Sequence, residues 1–598
     1  MTTATVQQNG AENVRWDLSE LFGSPDAPEI DRILAESLSF AQDFERRYRG
    51  RVAQLTADEM VEMLQELERH SVQGSKPGIY ASLLHSLDTG DHAAGRLVGK
   101  ISEAGAEQGR YLVFLGLELA ALTDEKAAEL YQHPEIAPYR HTIEEERRQR
   151  PHQLSEVEER LLTEISPVGS GAWSRLFEEA TAAIKVSIEG QEISLDAALA
   201  NLYDGDRGKR ITASQAITGA LKKDLRTRTY IFNVLLQSKQ ISDRLRHYPS
   251  WISARNLSNE ISDQAVQALV EAVTARYDLV QRYYQVKRRL LGLEELQEWD
   301  RYAPLEETSR IVSWEEAKEI VLSSYHRFSP RAGAIVERFF TEGWIDAPLS
   351  PGKQGGAYCS PATPDFHPYV LLNFTGLQRD VLTLAHEVGH GLHDVLSAER
   401  NHIFDYHPPL TLAETASIFG EALTFDALLA QESDPKIRLS LLCKQVEDAF
   451  ATIFRQVAIN RFEDVMHAAR RERGELSPEQ VGELWQEQNQ AMFGGSLTFS
   501  EEYQVWWSYI GHFIRTPGYV YAYAFGNLLA YALYRQHRSN QSPNFAEAYL
   551  KALALGGSQA PEAVARSVGL EISDPAFWGS GLSVVEDMVV EVERLAGS

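Results

Sequence analysis

The sequence predicts a mainly α-helical protein. Three observations carry that expectation. Through most of the chain, apolar residues recur three and four positions apart, the spacing of one helix face. Only short stretches alternate or run in the manner of strands. And one segment, Leu384-Ala385-His386-Glu387-Val388-Gly389-His390, needs a helix to set its two histidines side by side.

Taken in order, residues 1–13 are polar and are expected to form a disordered tail. Trp16-Asp17-Leu18 begins the ordered chain. Helices are predicted over Glu29–Tyr48, Ala57–His70 and Arg96–Leu122, and Ser155-Glu156-Val157-Glu158 is a capping box that opens another. Pro167-Val168-Gly169-Ser170-Gly171 reads as a loop. Ile184 to Leu195 alternates on both sides of Glu189-Gly190, a short hairpin. Gln264–Leu293 is predicted as one long helix whose Lys287, Arg288 and Arg289 suit a C-terminus. Pro368–Phe374 reads as a strand leading into the histidine helix, for which Asp380 is the candidate N-cap. Helices follow over Ile437–Arg473 and Glu479–Gln490. A tyrosine-rich stretch, Tyr519 to Tyr523, is open to either a helix or a strand.

Composition narrows the function classes. At 598 residues the chain exceeds one ordinary core. Its 43% hydrophobic and 24% charged content is that of a soluble globular protein. A net charge of −27 argues against nucleic acid or an anionic membrane as the main partner, since phosphate binding needs clustered Lys and Arg. The most apolar long run, Tyr111 to Leu122, is broken by Glu118 and too short to span a bilayer. Two cysteines, Cys359 and Cys443, are too few for a disulfide framework. With no basic-then-apolar leader, the expected location is the cytoplasm.

The chemistry concentrates in His-Glu-x-x-His. His386 and His390, four apart on a helix, can hold one metal ion, and Glu387 beside them can act on a water there as general base. Two surface histidines on an ordinary helix would match the same pattern, so a third ligand decides. The Gly and His that one class of zinc peptidase needs at 393 and 396 are His393 and Leu396 here. The alternative class needs a Glu from a following helix. Glu414 and Glu421 supply it, seven apart on one face of an apolar run. Glu414 is the expected ligand, with His402 and His407 as fallbacks. Glu421, Asp394 and His393 are candidates to orient a ligand imidazole. A strand beside such a helix can bind an extended peptide through its backbone. Gly356, Ala357 and Tyr358 are candidate substrate contacts, with Tyr521 a further one. His512, Tyr519 and Tyr523 carry donors suited to a developing oxyanion.

These pieces together resemble a family. Trp16-Asp17-Leu18, Gly355 to Cys359, His367-Pro368-Tyr369, Asn373-Phe374, Thr383 to His390, Glu414-Thr415-Ala416-Ser417, Phe454-Arg455-Gln456 and Tyr519 to Tyr523 are similar to the oligoendopeptidase F branch of the thimet oligopeptidase superfamily of zinc metallopeptidases. The resemblance implies two helical lobes enclosing a deep substrate channel, with a small sheet beside the zinc helix. It implies an N-terminal helical domain over 14–200 and a catalytic domain over 201–598. It implies one Zn²⁺ per chain and cleavage of internal bonds in short peptides. It places His512, Tyr519 and Tyr523 at substrate and the oxyanion, without assigning the roles among the tyrosines. A helical zinc carboxypeptidase, and a non-enzymatic peptide-binding protein on a peptidase scaffold, are the alternative readings.

Overall fold

The computed structural model of the protein describes residues 9–305, 311–539 and 543–597. Helices dominate, and none among the described residues is long and apolar enough to cross a membrane. The chain divides into two compact units. One is built from 1–150, 309–431 and 536–570, the other from 151–308, 432–535 and 571–598. This interleaving differs from the linear division at residue 200. Its reason is that the helices sharing a core come from distant segments: Pro575–Gly597 packs on Asp263–Thr274, Tyr277–Leu290 and Pro435–Ala449, and Phe545–Leu553 packs on Gln378–Ala398.

In the first unit, three long helices, Pro28–Tyr48, Ala57–Leu87 and His92–Ala120, pack around Phe40, Phe44, Leu64, Phe114 and Leu119. The second of them runs past the predicted end at His70. It opens with a capping box in which Thr56 Oγ1 accepts from Glu59 N (3.3 Å) and Glu59 Oε2 accepts from Thr56 N (2.8 Å). Residues 1–8 of the expected tail lie outside the described residues. Asn9 is no tail: its Nδ2 donates to Phe374 O and its carbonyl accepts from Trp314 N. Satisfying these backbone groups is what orders it.

The same unit holds a three-stranded sheet. Labelled in chain order after the hairpin strands β1 (Lys185–Ile188) and β2 (Gln191–Ser194) of the other unit, its strands are β3 (Ile345–Asp346), β4 (Tyr358–Ser360) and β5 (Tyr369–Leu371). The order is β3-β5-β4, with β5 parallel to β3 and antiparallel to β4. β4 is therefore an edge. β5 is shorter than the stretch 368–374 suggests, because only its middle is paired on both sides. Tyr369 and Leu371 seat the sheet against Trp16 and Leu83.

In the second unit the β1–β2 hairpin turns at Glu189-Gly190, as expected, and the capping box Ser155–Glu158 forms. The predicted helix 264–293 is two helices, Asp263–Thr274 and Tyr277–Leu290, separated at Ala275-Arg276. The tyrosine stretch resolves into the N-terminus of the helix Tyr521–Arg538.

Candidate functional site

The histidine helix spans Gln378–Ala398. Its entry is fixed by Asp380, which sits inside the first turn instead of at the N-cap. Asp380 Oδ2 accepts from Thr375 N (2.7 Å), Thr375 Oγ1 (2.6 Å) and Leu377 N (3.1 Å). The carboxylate thus satisfies backbone donors that have no partner within the helix.

A second helix, Thr415–Gln431, lies against the first, preceded by the short turn Leu410–Ala413. Two glycines let them approach. A Cβ on Gly389 would stand 2.7 Å from both Ala416 O and Ser417 Cα, and one on Gly420 would overlap the Tyr325 hydroxyl and meet Ala385 O at 3.2 Å. Tyr325 Oη fills that gap by donating to Ala385 O (2.7 Å). Close approach is what brings Glu414, at the start of the second helix, to the histidines.

There His386 Nε2 is 3.4 Å and His390 Nε2 3.5 Å from Glu414 Oε2. Ligand atoms about 2.0–2.1 Å from a tetrahedral ion stand about 3.3–3.4 Å apart, so these separations fit one such ion. The same carboxylate oxygen accepts from Ser417 Oγ at 2.8 Å. His386 Nδ1 faces Glu421 Oε2 at 3.4 Å. The donor set is two imidazoles and a carboxylate, half-buried, with a second carboxylate behind one imidazole. This is the donor chemistry of a catalytic zinc site. Electrostatics point the same way. Burial disfavours a charged His386, yet Glu421, Glu387 and Glu414 outweigh it and raise its pKa to about 9. His390 is lowered, by burial and then by its neighbour His386. The surroundings thus favour positive charge on His386 but not on His390.

Glu387 is 6% exposed. Burial pushes its carboxyl up to about 7, with His386 and the backbone N–H of Cys359 on β4 pulling it down and Glu414 adding to the rise. A carboxyl poised near neutrality can take and return a proton. The Cys359 link was not legible in the sequence, since it depends on the sheet edge lying across the helix.

The other expected residues divide. Glu421 reaches the His386 imidazole; Asp394 and His393 have other partners. Asp394 lies seven residues after Glu387 and four after His390, and the sheet edge, not helical phase, decides which way it is engaged. It sits 3.8 Å from Cys359 Sγ, and burial raises it to about 7. His393 is turned toward the Leu553 carbonyl, and burial lowers it to about 3. His402 donates from Nε2 to Pro138 O at 2.9 Å and stacks on Tyr139, with no contact to His386, His390 or Glu414 among the described residues. On the loop before β4, Gly356 takes a φ of +83°, and Asn373 Nδ2 holds the loop by donating to Gln354 O and Gly356 O (2.9 and 2.8 Å). Ala357 and Tyr358 are half-buried at the edge.

In the second unit His512, Tyr519 and Tyr523 form one aromatic cluster, with ring centroids 6.3 Å (His512–Tyr519), 6.1 Å (His512–Tyr523) and 5.1 Å (Tyr519–Tyr523) apart. All three are half-buried. Tyr521, the further substrate contact expected from the sequence, is not with them. It is fully buried, and its hydroxyl accepts from Asn259 Nδ2 at 2.9 Å. Two residues along a helix is a rotation of roughly 200°, which turns Tyr521 inward.

Comparison with known proteins gives the family and the fold. The model of Peptidase family M3 matches residues 200–583, and that of Oligopeptidase F matches 118–185. The chain is 28% identical over 597 residues to group B oligopeptidase PepB of Streptococcus agalactiae serotype III (strain NEM316), covering 98% of this chain and 97% of that protein. It is 27% identical to oligopeptidase PepF of Bacillus subtilis (strain 168), over 97% of this chain and 87% of that protein. A crystal structure of oligoendopeptidase-F from Enterococcus faecium shares the fold, with a TM-score of 0.73 at 24% identity over 96% of this chain and 99% of that one.

Proposed function

The chain belongs to peptidase family M3, and from that premise we propose that it is a zinc-dependent endopeptidase that hydrolyses internal bonds of short peptides. The observation that carries the reading is the convergence of His386 Nε2 and His390 Nε2 on Glu414 Oε2, beside a buried Glu387. His386, His390 and Glu414 would hold the zinc. Bound there, zinc supplies Lewis acidity, polarising a carbonyl and lowering the pKa of water.

The rest is done by the chain. Glu387 takes a proton from the attacking water on its carboxylate oxygen and delivers it to the nitrogen of the leaving amine. Its burial keeps its proton affinity high enough for the first transfer and low enough for the second. Glu421 holds the His386 ring through Nδ1. The outer edge of β4 offers backbone groups to an extended peptide, with Gly356, Ala357 and Tyr358 along it. The hydroxyls of Tyr519 and Tyr523, with His512, act as donors to the oxyanion.

The test is cleavage of an internally quenched peptide, with mass spectrometry of the products, before and after 1,10-phenanthroline and after zinc add-back. Internal cleavage that disappears on chelation and returns with zinc is expected. Release of single C-terminal residues, or no cleavage by zinc-loaded protein, would overturn the reading.

A further inference from the structure

Phe454-Arg455-Gln456 has no part in the reaction as described. It lies where a π-helical turn, Phe450–Phe454, opens into the helix Arg455–Arg473. Such turns are rare, since they distort the hydrogen-bond ladder, and they gather at functional sites. Gln456 secures this one by donating from Nε2 to Ala451 O, five residues back, at 3.2 Å. The extra residue shifts the phase of the helix. Arg455 comes within electrostatic reach of Tyr302, Tyr509, Tyr503 and Arg301.

Arg301 is 6% exposed. Its guanidinium stands over the rings of Tyr302 (4.4 Å) and Tyr503 (5.5 Å), and Nη2 donates to the Tyr302 hydroxyl. Its Nε is buried with no hydrogen-bond partner. Among the described residues neither arginine forms an ion pair with a carboxylate. Glu447, which packs near Tyr284, is taken by Lys287 Nζ (2.6 Å) and Tyr283 Oη (2.5 Å). Aromatic faces offset part of the desolvation of a buried cation, but two guanidinium groups with no ion pair among the described residues are an unbalanced arrangement.

The surroundings are those of an anion site. Tyr302 Oη accepts from Arg301, which leaves its own proton to be donated outward. Burial raises the Tyr302 pKa, but Arg301 and Arg455 lower it further than burial raises it, so the hydroxyl is a strong donor. Arg455, Tyr302 and Tyr509 are half-buried and can be reached, and Arg455 acts electrostatically on His512. The chain's net charge of −27 repels anionic peptides at long range, so recognising one needs local cations.

We propose that Arg455 and Arg301, with the Tyr302 hydroxyl, form a subsite for a carboxylate of the peptide substrate. The identity of the ligand rests on the peptidase reading above. A carboxylate suits it because the guanidinium fork matches two oxygens. That group comes from the peptide's C-terminus or from an Asp or Glu side chain.

One peptide sequence, made in three forms, tests this: a free C-terminal acid carrying an Asp, the C-terminal amide keeping the Asp, and the amide with Asn in its place. Loss of the recognised carboxylate should raise KM about 10- to 100-fold, the range of a charge-assisted hydrogen bond, with kcat nearly constant. A rise at the first step identifies the C-terminus, and a rise at the second identifies the side chain. In Arg455→Gln that KM advantage should collapse to within about twofold, and Arg455→Lys, which keeps the cation and guards against loss of fold, should restore part of it. Anisotropy of the same peptides bound to Glu387→Gln reads the coupling without turnover. An equal effect of Arg455→Gln on all three forms, or none, overturns the subsite even if all three are cleaved. Coupled binding with no cleavage by the wild type keeps the subsite and removes the peptidase reading.

Discussion

Replacing Gly389 by alanine tests how His386, His390 and Glu414, the proposed metal ligands, are brought together. The added methyl would stand 2.7 Å from Ala416 O, 2.7 Å from Ser417 Cα and 2.9 Å from the Tyr325 hydroxyl. Carbon atoms at optimal separation keep about 3.5 Å, so the two helices must part by about 0.8 Å. Two of the three contacts are backbone, which no rotamer change relieves. Overpacking of this kind costs about 1–3 kcal/mol. The displacement falls beside Glu414, which sits one residue before Thr415, and stretches its 3.4 and 3.5 Å separations from the histidines. Zinc affinity should fall on the order of 10- to 100-fold, as for a misplaced ligand shell. Urea unfolding of the metal-free protein gives the first quantity, and competition with a chromophoric chelator the second. Gly219→Ala is the control: it lies inside the helix Arg207–Lys223, nothing stands within 4 Å of the new Cβ, and it should stabilise by about 0.5–1 kcal/mol. Wild-type stability and zinc affinity in Gly389→Ala would refute the reasoning.

Four further outcomes follow from the geometry. Glu387→Gln should keep zinc and lose on the order of 10²–10⁴ in kcat, whereas Glu414→Ala should lose the metal, as metal analysis after dialysis will show. Glu421→Gln should weaken zinc about 10- to 100-fold by removing the charge behind His386 Nδ1, read by the same chelator competition. Tyr523→Phe or Tyr519→Phe should lower kcat about 100-fold if that hydroxyl meets the oxyanion, while Tyr521→Phe, which loses only the bond to Asn259, should lower thermal stability and leave kcat close to wild type. The fourth concerns pH. Burial raises the Glu463 carboxyl to about 8, against the pull of the Gly518 N–H, Arg255 and Lys239. Between its ordinary value near 4.5 and about 8 the folded chain holds a proton that the unfolded chain has released. Stability therefore falls with rising pH over that window, by up to about 1.4 kcal/mol per unit from this group. Glu463→Gln, which keeps an acceptor for Gly518 N, should remove that slope in urea titrations at pH 5 to 8; an unchanged slope would assign the proton elsewhere.

The local order of this protein is legible in its residues. His386, Glu387 and His390 share a helix because turn geometry is local, and Ser155 caps with Glu158 for the same reason. The mainly helical content follows from apolar spacing, and Glu414 follows from an acid placed in an apolar run that must find a partner. What the tertiary structure decided is everything set by contacts between distant segments. Asp394 and His393 sit within a turn of His390, yet they face Cys359 and Leu553, because the sheet edge and the Phe545–Leu553 helix pack on those sides. Tyr521 turns inward because a helix starts there. The interleaved units arise because cores form from whichever faces bury most apolar surface, not from chain order. Sequence alone determined which groups could bind a metal and move a proton; packing determined which of them meet, since an orientation a few residues away on the chain is set by a helix a hundred or more residues away.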